Sequence, residues 1–414
     1  MSSGLNLNNF DAALKELYTR DRVENMVYAD NPKYGLMPKR TDFYGRKRAI
    51  PIIYGNPQGR SATFSRAQAR STGTSSLVEQ FELTRVKDYA VATIDNETML
   101  ASANDVGAFL EAATLEVDGA INSITRSAAI AMYRQGYGEI GIIATGGISS
   151  AVVTLDNAAD ICNFEVGMEL DVAGSLTGSV RAYGSNSHGL YVSAVDRDAG
   201  TFTCSANVTD SADGIPLAAA GDYIFVRGDH SGSTRTKLAG FTAYCPQSAP
   251  SSSPFFGVDR SVDVTRLGGL RLDARSMPIE EALIKAANRV GREGFGIDHY
   301  FMTFDKYTEL EQSLGSKVQY LDLDVGVVSF RAIRINGPKG EIRVVPDQNC
   351  PGDLIAGVKL SMWELHSLGG MPRPLDTDGL MMLRQSADDG CEVRYGYYAN
   401  VACKAPGSNI NIRV

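Results

Sequence analysis

The sequence predicts an α+β fold assembled from separable blocks. Three observations carry this. Residues 102 to 135 hold one uninterrupted helical stripe. Residues 149 to 238 are rich in Gly, Ser, Thr, Val and Asp and show no helical stripe. Residues 262 to 360 mix helix and strand, and the tail reads as long strands. Blocks of different character in series imply segregated helices and sheets, not one doubly wound parallel sheet. A chain of 414 residues has room for two or three domains.

Taken in order, residues 8 to 28 read as a short helix, with Leu14, Leu17, Val23 and Val27 spaced by about a turn and Asn31-Pro32 as its stop. Strand-like runs follow at Ile50 to Tyr54 and Phe81 to Ile94. They flank Gly55-Asn56-Pro57 and a Ser/Thr/Gly cluster at 71 to 76. Between Arg46 and Lys87 stand Arg46, Lys47, Arg48, Arg60, Arg66, Arg70, Arg85 and Lys87 against only Glu79 and Glu82. That is a local net of +6 within a chain of net -8. A long basic hairpin with so few apolar residues cannot bury a core of its own. The expectation is that it lies on something else, most simply a neighbouring subunit.

The clearest helix is capped by Ser102 with Asp105 three residues on. Its stripe is Val106, Leu110, Ala113, Val117, Ile121, Ile124, Ala128 and Ala131, and Gly136 stops it. At 1.5 Å per residue the expected length is about 45–50 Å, which suits a scaffold spine. The following block suggests short strands at Met168 to Val172, Leu190 to Val195, Thr201 to Ser205 and Tyr223 to Val226, a small all-β barrel or sandwich. Pro246 to Pro254 reads as a loop. Pro278 opens a helix whose first turn holds Glu280 and Glu281, with Ile279, Leu283, Ala286 and Val290 as its apolar face. A strand at Ile297 to Met302, a helix at Phe304 to Leu314 and strands at Val327 to Ile335 and Glu341 to Val345 come next. Leu380 to Arg384 and Glu392 to Lys404 close the chain as strands. No internal repeat is evident.

Composition excludes several classes of function. Hydrophobic residues are 43% and charged residues 21%, ordinary for a globular chain. The longest apolar runs, such as Ile140 to Ile143, fall far short of the roughly 20 residues that cross a bilayer. The start, Met1 to Phe10, is polar and lacks the pattern of a secretory signal. A soluble protein made and kept in a cytoplasm is expected. Cys162, Cys204, Cys245, Cys350, Cys391 and Cys403 are scattered with no C-x-x-C, so buried reduced thiols are expected. The negative balance argues against a dedicated nucleic-acid binder.

Motifs for chemistry read as structure. Gly136-Tyr137-Gly138-Glu139-Ile140-Gly141 matches a dinucleotide fingerprint in spelling, but it follows a helix and leads into a strand, so it reads as a helix-ending turn. Asp196, Asp198 and Gly200 lack the remaining ligands of a calcium loop and read as a hairpin turn. His188, His230, His299 and His366 do not pair at metal spacing. No P-loop, nucleophile elbow or H-E-x-x-H occurs. No catalytic residue, cofactor or metal is expected, and the chain is not expected to be an enzyme.

This order of segments resembles the Hong Kong 97-type major capsid protein of tailed bacteriophages, the fold shared with the herpesvirus capsid floor. The resemblance covers most of the chain and rests on segment order. It implies an N-terminal arm at 1–45, an extended loop at 46–98, and a peripheral domain with the spine helix at 99–148. An all-β insertion would follow at 149–240, an axial domain at 241–378, and C-terminal strands completing the peripheral domain at 379–414. Pro278 to Glu293 with Gly296 to Leu314 carries the family's helix, strand, helix order. Gly340 to Leu360 carries its strand, loop, strand segment, and Gly390 to Pro406 resembles its closing strand. The insertion departs from the minimal pattern.

The function implied is mechanical: homo-pentamers and homo-hexamers of an icosahedral shell around double-stranded DNA. Scaffolding, portal and decoration proteins would be partners. DNA would be touched only weakly and non-specifically, and no membrane is involved. The location implied is the virion, with the host cytoplasm during assembly. With no long segment before the arm, a separate scaffolding protein is expected. The candidate intersubunit residues are Arg46, Lys47, Arg48, Arg60, Arg66, Arg70 and Arg85. The loop's only lysines are Lys47 and Lys87, and no crosslink is expected. The rival readings are a tail-tube or decoration protein and an α+β enzyme with a dispersed carboxylate site.

Overall fold

The computed structural model describes residues 31–95, 106–186, 189–315, 320–325, 328–376, 379–385 and 388–414, and only the backbone of 106–113 and 320–331. The helix expected over 8 to 28 and the cap at Ser102 and Asp105 lie outside the described residues.

Pro32 starts a helix instead of ending one. α1 (Pro32–Leu36) has the proline in its first turn, where a fixed φ and a missing N–H cost nothing. β1 (Lys39–Arg40) follows, then a hairpin of β2 (Lys47–Gly55) and β3 (Leu77–Thr84), joined through α2 (Phe64–Ser71), an element that the sequence pattern does not announce. Its register runs from Lys47↔Thr84 through Ile50↔Phe81 to Gly55↔Leu77. The expected run Phe81 to Ile94 is two strands. The chain turns at Arg85, and β4 (Val86–Asp95) joins a different sheet, so the ribbon is shorter than 46–98.

α3 (Val106–Ala131) is 26 residues, about 39 Å at 1.5 Å each. At its C-terminal end it stops earlier than expected because Met132 to Gln135 unwind into i→i+3 turns, Tyr133 N–H to Ile130 and Arg134 N–H to Ala131. Gly136, at φ 88°, then reverses the chain. Val117, Ile121, Ile124, Ala128 and Ala131 of the stripe are buried, and α3 lies along β4.

The insertion is a closed barrel and begins earlier than expected. Its strands are β5 (Glu139–Ser149), β6 (Val152–Leu155), β7 (Glu169–Ala173), β8 (Leu190–Asp196), β9 (Thr201–Cys204) and β10 (Tyr223–Val226), in the order β10-β5-β6-β9-β8-β7. Alternation fills the interior with Val153, Leu155, Leu170, Val172, Leu190, Val192, Phe202 and Ile224, and Phe164 stacks on Phe202 at 4.6 Å. β5 belongs to this barrel, not to the peripheral sheet. Asp196 closes the β8–β9 turn by accepting the N–H groups of Asp198 and Ala199, as the hairpin reading of that motif requires.

The axial region is a seven-stranded mixed sheet. After α4 (Phe241–Tyr244) come β11 (Leu270–Asp273), α5 (Ile279–Arg292), β12 (His299–Met302), α6 (Phe304–Leu314), β13 (Tyr320–Val325), β14 (Val328–Gly337), β15 (Gly340–Pro346) and β16 (Leu354–Val358). α5 has Glu280 and Glu281 in its first turn and Arg289 and Arg292 in its last, matching its dipole at both ends. Ile279, Ala282, Leu283, Ala286 and Val290 bury its apolar face. Thr303 caps α6, and Gly315 at φ 53° ends it.

The peripheral sheet is built on one long strand. β17 (Trp363–Ser367), β18 (Arg373–Pro374) and β19 (Met382–Arg384) line one side of β20 (Gly390–Cys403), and β4 pairs along the other from Gly390↔Asp95 to Ala399↔Val86. β1 adds to β17 in parallel. Two expectations are corrected here. β17 and β18 leave the axial layer although they precede residue 378. β21 (Ile410–Arg413) does not close the peripheral sheet but enters the axial one, between β11 and β16. The order of hairpin, long helix, axial sheet and long closing strand is the one the capsid resemblance implies, with the barrel inserted between helix and axial sheet.

Candidate intersubunit surface

The hairpin has two halves of opposite character. At its root Ile50, Ile52, Phe81 and Leu83 are buried in the main core of their own chain. Phe81 meets Tyr244 at 5.7 Å and Phe255 at 5.5 Å, both edge-on. The N–H of Glu82 donates to the carbonyl of Phe256 at 2.8 Å. Arg235 lies 4.7 Å over the Phe255 ring and Arg260 lies 4.1 Å from the same ring. Burial pulls the Arg260 guanidinium down to about 10. The expectation of a wholly coreless ribbon is therefore corrected: the alternation of β2 and β3 seats one face of the root internally.

Beyond the root this burial ends. Ile53 is 69% exposed, Phe64 80%, Leu77 48% and Val78 53%. No residue of α2 is buried. From Asn56 to Val78 the chain carries Arg60, Arg66 and Arg70 and no acid. Among the described residues neither β2 nor β3 pairs with a third strand.

The structure divides the seven candidate residues. Lys47 pairs with Glu82 across the hairpin. Arg48 pairs with Asp42 at 3.0 Å and holds that carboxyl below its usual range. Arg85 is half-buried, donates to the Phe43 carbonyl and stacks over its ring at 5.2 Å. These three serve the root. Arg46, Arg60, Arg66 and Arg70 are exposed, with no ion-pair partner among the described residues.

The arm also enters the core, through a residue that the sequence pattern does not single out. Lys33 is buried, donates to the Met132 carbonyl at 2.8 Å and sits 3.9 Å over the Tyr133 ring. The Tyr133 hydroxyl donates to Asp347 at 2.6 Å, and Asn349 joins Asp347 to Asn31. Burial pulls the Lys33 amine down to about 7 and pushes the Asp347 carboxyl up. A lysine between Pro32 and Tyr34 gives no sequence signal of burial.

The remaining candidates for chemistry are structural. His230 is stacked on Phe225 at 4.1 Å. His299 is stacked on Phe301 at 6.0 Å and hydrogen-bonded to Asp298 at 2.9 Å. His366 is buried at 3.3 Å from Glu364. His188 lies outside the described residues. Among the described residues no His, Cys, Asp or Glu cluster could hold a metal, and no helix is long and apolar enough to cross a membrane. All six cysteines are free, and Cys162 is exposed, contrary to the expectation of burial.

No family model matches the chain, and no curated protein matches it. Solved structures similar to it include a chain of the cyanophage A-1(L) capsid asymmetric unit, at TM-score 0.47 and 11% identity, with 92% of each chain covered. The capsid of an empty GTA particle is similar at TM-score 0.43 and 8% identity, covering 93% of this chain and 96% of that one. The holo-SrpI encapsulin complex of Synechococcus elongatus is similar at TM-score 0.42 and 7% identity, covering 92% and 87%.

Proposed function

We propose that this chain is a shell subunit of the Hong Kong 97 type, the major capsid protein of a tailed phage, acting by assembly and not by catalysis. The observation that carries the reading is the two-sided hairpin, with its root locked into its own core and its tip bare, basic and apolar. A two-stranded ribbon with exposed Ile53, Phe64, Leu77 and Val78 is stable in water only when something covers it. A tip reaching away from its own body makes a head-to-tail contact. When every copy makes that contact, rings close. Pentamers and hexamers are such rings, and each bare tip adds a contact to an already tethered neighbour.

Arg46, Arg60, Arg66 and Arg70 are the residues free to pair with a neighbour. Lys47, Arg48 and Arg85 contribute by holding the root. Scaffolding, portal and decoration proteins, and weak contact with packaged DNA, complete the proposed set of partners. The location is the virion, reached after assembly in the host cytoplasm.

The test is negative-stain microscopy and sedimentation of the concentrated full-length protein beside Phe64→Ser. Rings or closed particles for the wild type support the reading. So does loss of assembly in Phe64→Ser with an unchanged denaturation midpoint, because a side chain 80% exposed holds no intrachain packing to lose. A monodisperse monomer at every concentration would overturn it.

A further inference from the structure

Charge is partitioned along this chain in a way the net value hides. Residues 139–226, the barrel, hold eleven acids and two arginines, a net of -9, and the remaining 38 basic and 37 acidic residues give +1. The barrel therefore carries the whole negative balance, and the hairpin tip is its opposite.

The barrel also has an uncovered sheet face. The outward side of β6, β9 and β8 consists of Val152 and Thr154, Thr201 and Thr203, and Tyr191, Ser193 and Ala194. Val152 is 36% exposed and Tyr191 45%. Threonine and serine keep this face shallow, with two apolar side chains standing on it. One end is acidic. Thr154 and Asp196 both pair with Thr201, and Asp156 follows two residues after Thr154. Asp198 sits in the adjoining turn. Arg197 is the cation beside them, half-committed to the carbonyl of Phe164 at 3.5 Å. Asp156 and Asp198 are exposed with no side-chain partner among the described residues, and Asp196 uses one oxygen on its own turn. Among the described residues no hydrogen bond or ion pair joins 56–78 to 139–226 of the same copy.

We propose that this face receives the hairpin tip of a second copy, with Phe64, Leu77 and Val78 against Val152 and Tyr191, and Arg60, Arg66 and Arg70 against Asp156, Asp196 and Asp198. The inference rests on the shell reading and deepens it by naming where the tip lands. The insertion thereby becomes the acceptor, a surface that a minimal chain would have to supply from elsewhere. Both partners are the same chain, so the two charge sets are matched in number in any assembly.

The test uses the full chain and three variants: R60E/R66E/R70E, D156K/D198K, and the two combined. Asp196 is left unchanged because it closes its turn. Sedimentation and negative stain give the concentration at which half the protein is assembled, and circular dichroism checks that each variant is folded. Each charge reversal alone raises that concentration by about tenfold, since each facing pair is worth about 0–1 kcal/mol and becomes repulsive. The combined variant returns to near the wild-type value, and raised salt weakens the effect in all. Should the barrel variant assemble normally, or the combination fail to recover while folded, the acceptor face is wrong and the shell reading survives. Should the wild type form no assembly, the shell reading itself fails.

Discussion

Replacing Lys33 by Met changes how stability responds to pH. The Lys33 amine is buried against the Tyr133 ring and pulled down to about 7 from 10.5. In the unfolded chain it holds its proton up to about 10.5. Between these values the unfolded state binds more protons than the folded one, so stability rises with pH. The contribution is full above the unfolded value and is lost as pH falls towards 7. Each pH unit within the window is worth on the order of 1 kcal/mol. The groups facing the amine, Asp347 and the thiols of Cys245, Cys350 and Cys403, are present in both proteins. The comparison between wild type and Lys33→Met therefore isolates one proton. Urea unfolding of unassembled subunits at pH 7.5, 8.5 and 9.5 measures it. The wild-type free energy should gain on that of Lys33→Met by about 1 kcal/mol per unit. Parallel curves would show that Lys33 keeps its proton inside the core, and the account of the arm's docking would be wrong.

Phe81→Ala should cost about 3–5 kcal/mol, because it empties a fully buried site between Tyr244 and Phe255. Faster tryptic cleavage at the hairpin arginines would accompany the loss in a denaturation curve. Gly240→Ala should destabilise by at least about 1–3 kcal/mol, since an added Cβ falls 2.2 Å from the Ala131 carbonyl oxygen and 2.4 Å from the Met132 carbonyl carbon, both backbone atoms. Thermal melts read it directly. Burial holds the His366 imidazole below 6.5, with Arg48, Asp42, Glu364 and Lys404 around it. The folded state thus resists its protonation, and stability falls as pH drops below 6.5. His366→Leu should flatten that acid limb, and an unchanged slope would reject the assignment.

The sequence was legible where one physical signal dominates. α5 follows from Pro278 at its start and the acids Glu280 and Glu281 in its first turn, α6 has the bounds the sequence suggests, and Tyr223 to Val226 is a strand to the residue. The α3 stripe was legible, but its end was not, because Met132 to Gln135 give no break in pattern while hydrogen bonding tightens. α2 gave no apolar stripe, being solvent-exposed throughout. The break between β3 and β4 at Arg85 was hidden by a continuous strand-like composition, and only the partner of each half separates them. The placement of β21 in the axial sheet depends on pairing across the sequence, which spacing does not encode. At the surface, basic residues close in sequence looked alike. Their roles diverge because Asp42, Phe43 and Glu82 happen to stand beside three of them.

The barrel leaves and rejoins the frame at almost one point. The Gly136 carbonyl accepts the N–H groups of both Thr236 and Lys237, at 3.1 Å each, so the whole excursion begins and ends on the same oxygen. Two ion pairs from the preceding helix and turn steady the module there, Arg126 with Glu165 and Arg134 with Asp160. The stem fixes where the barrel attaches, and turns far from it can lengthen without moving either end of that attachment. Foreign sequence grafted at that stem would be displayed once per subunit.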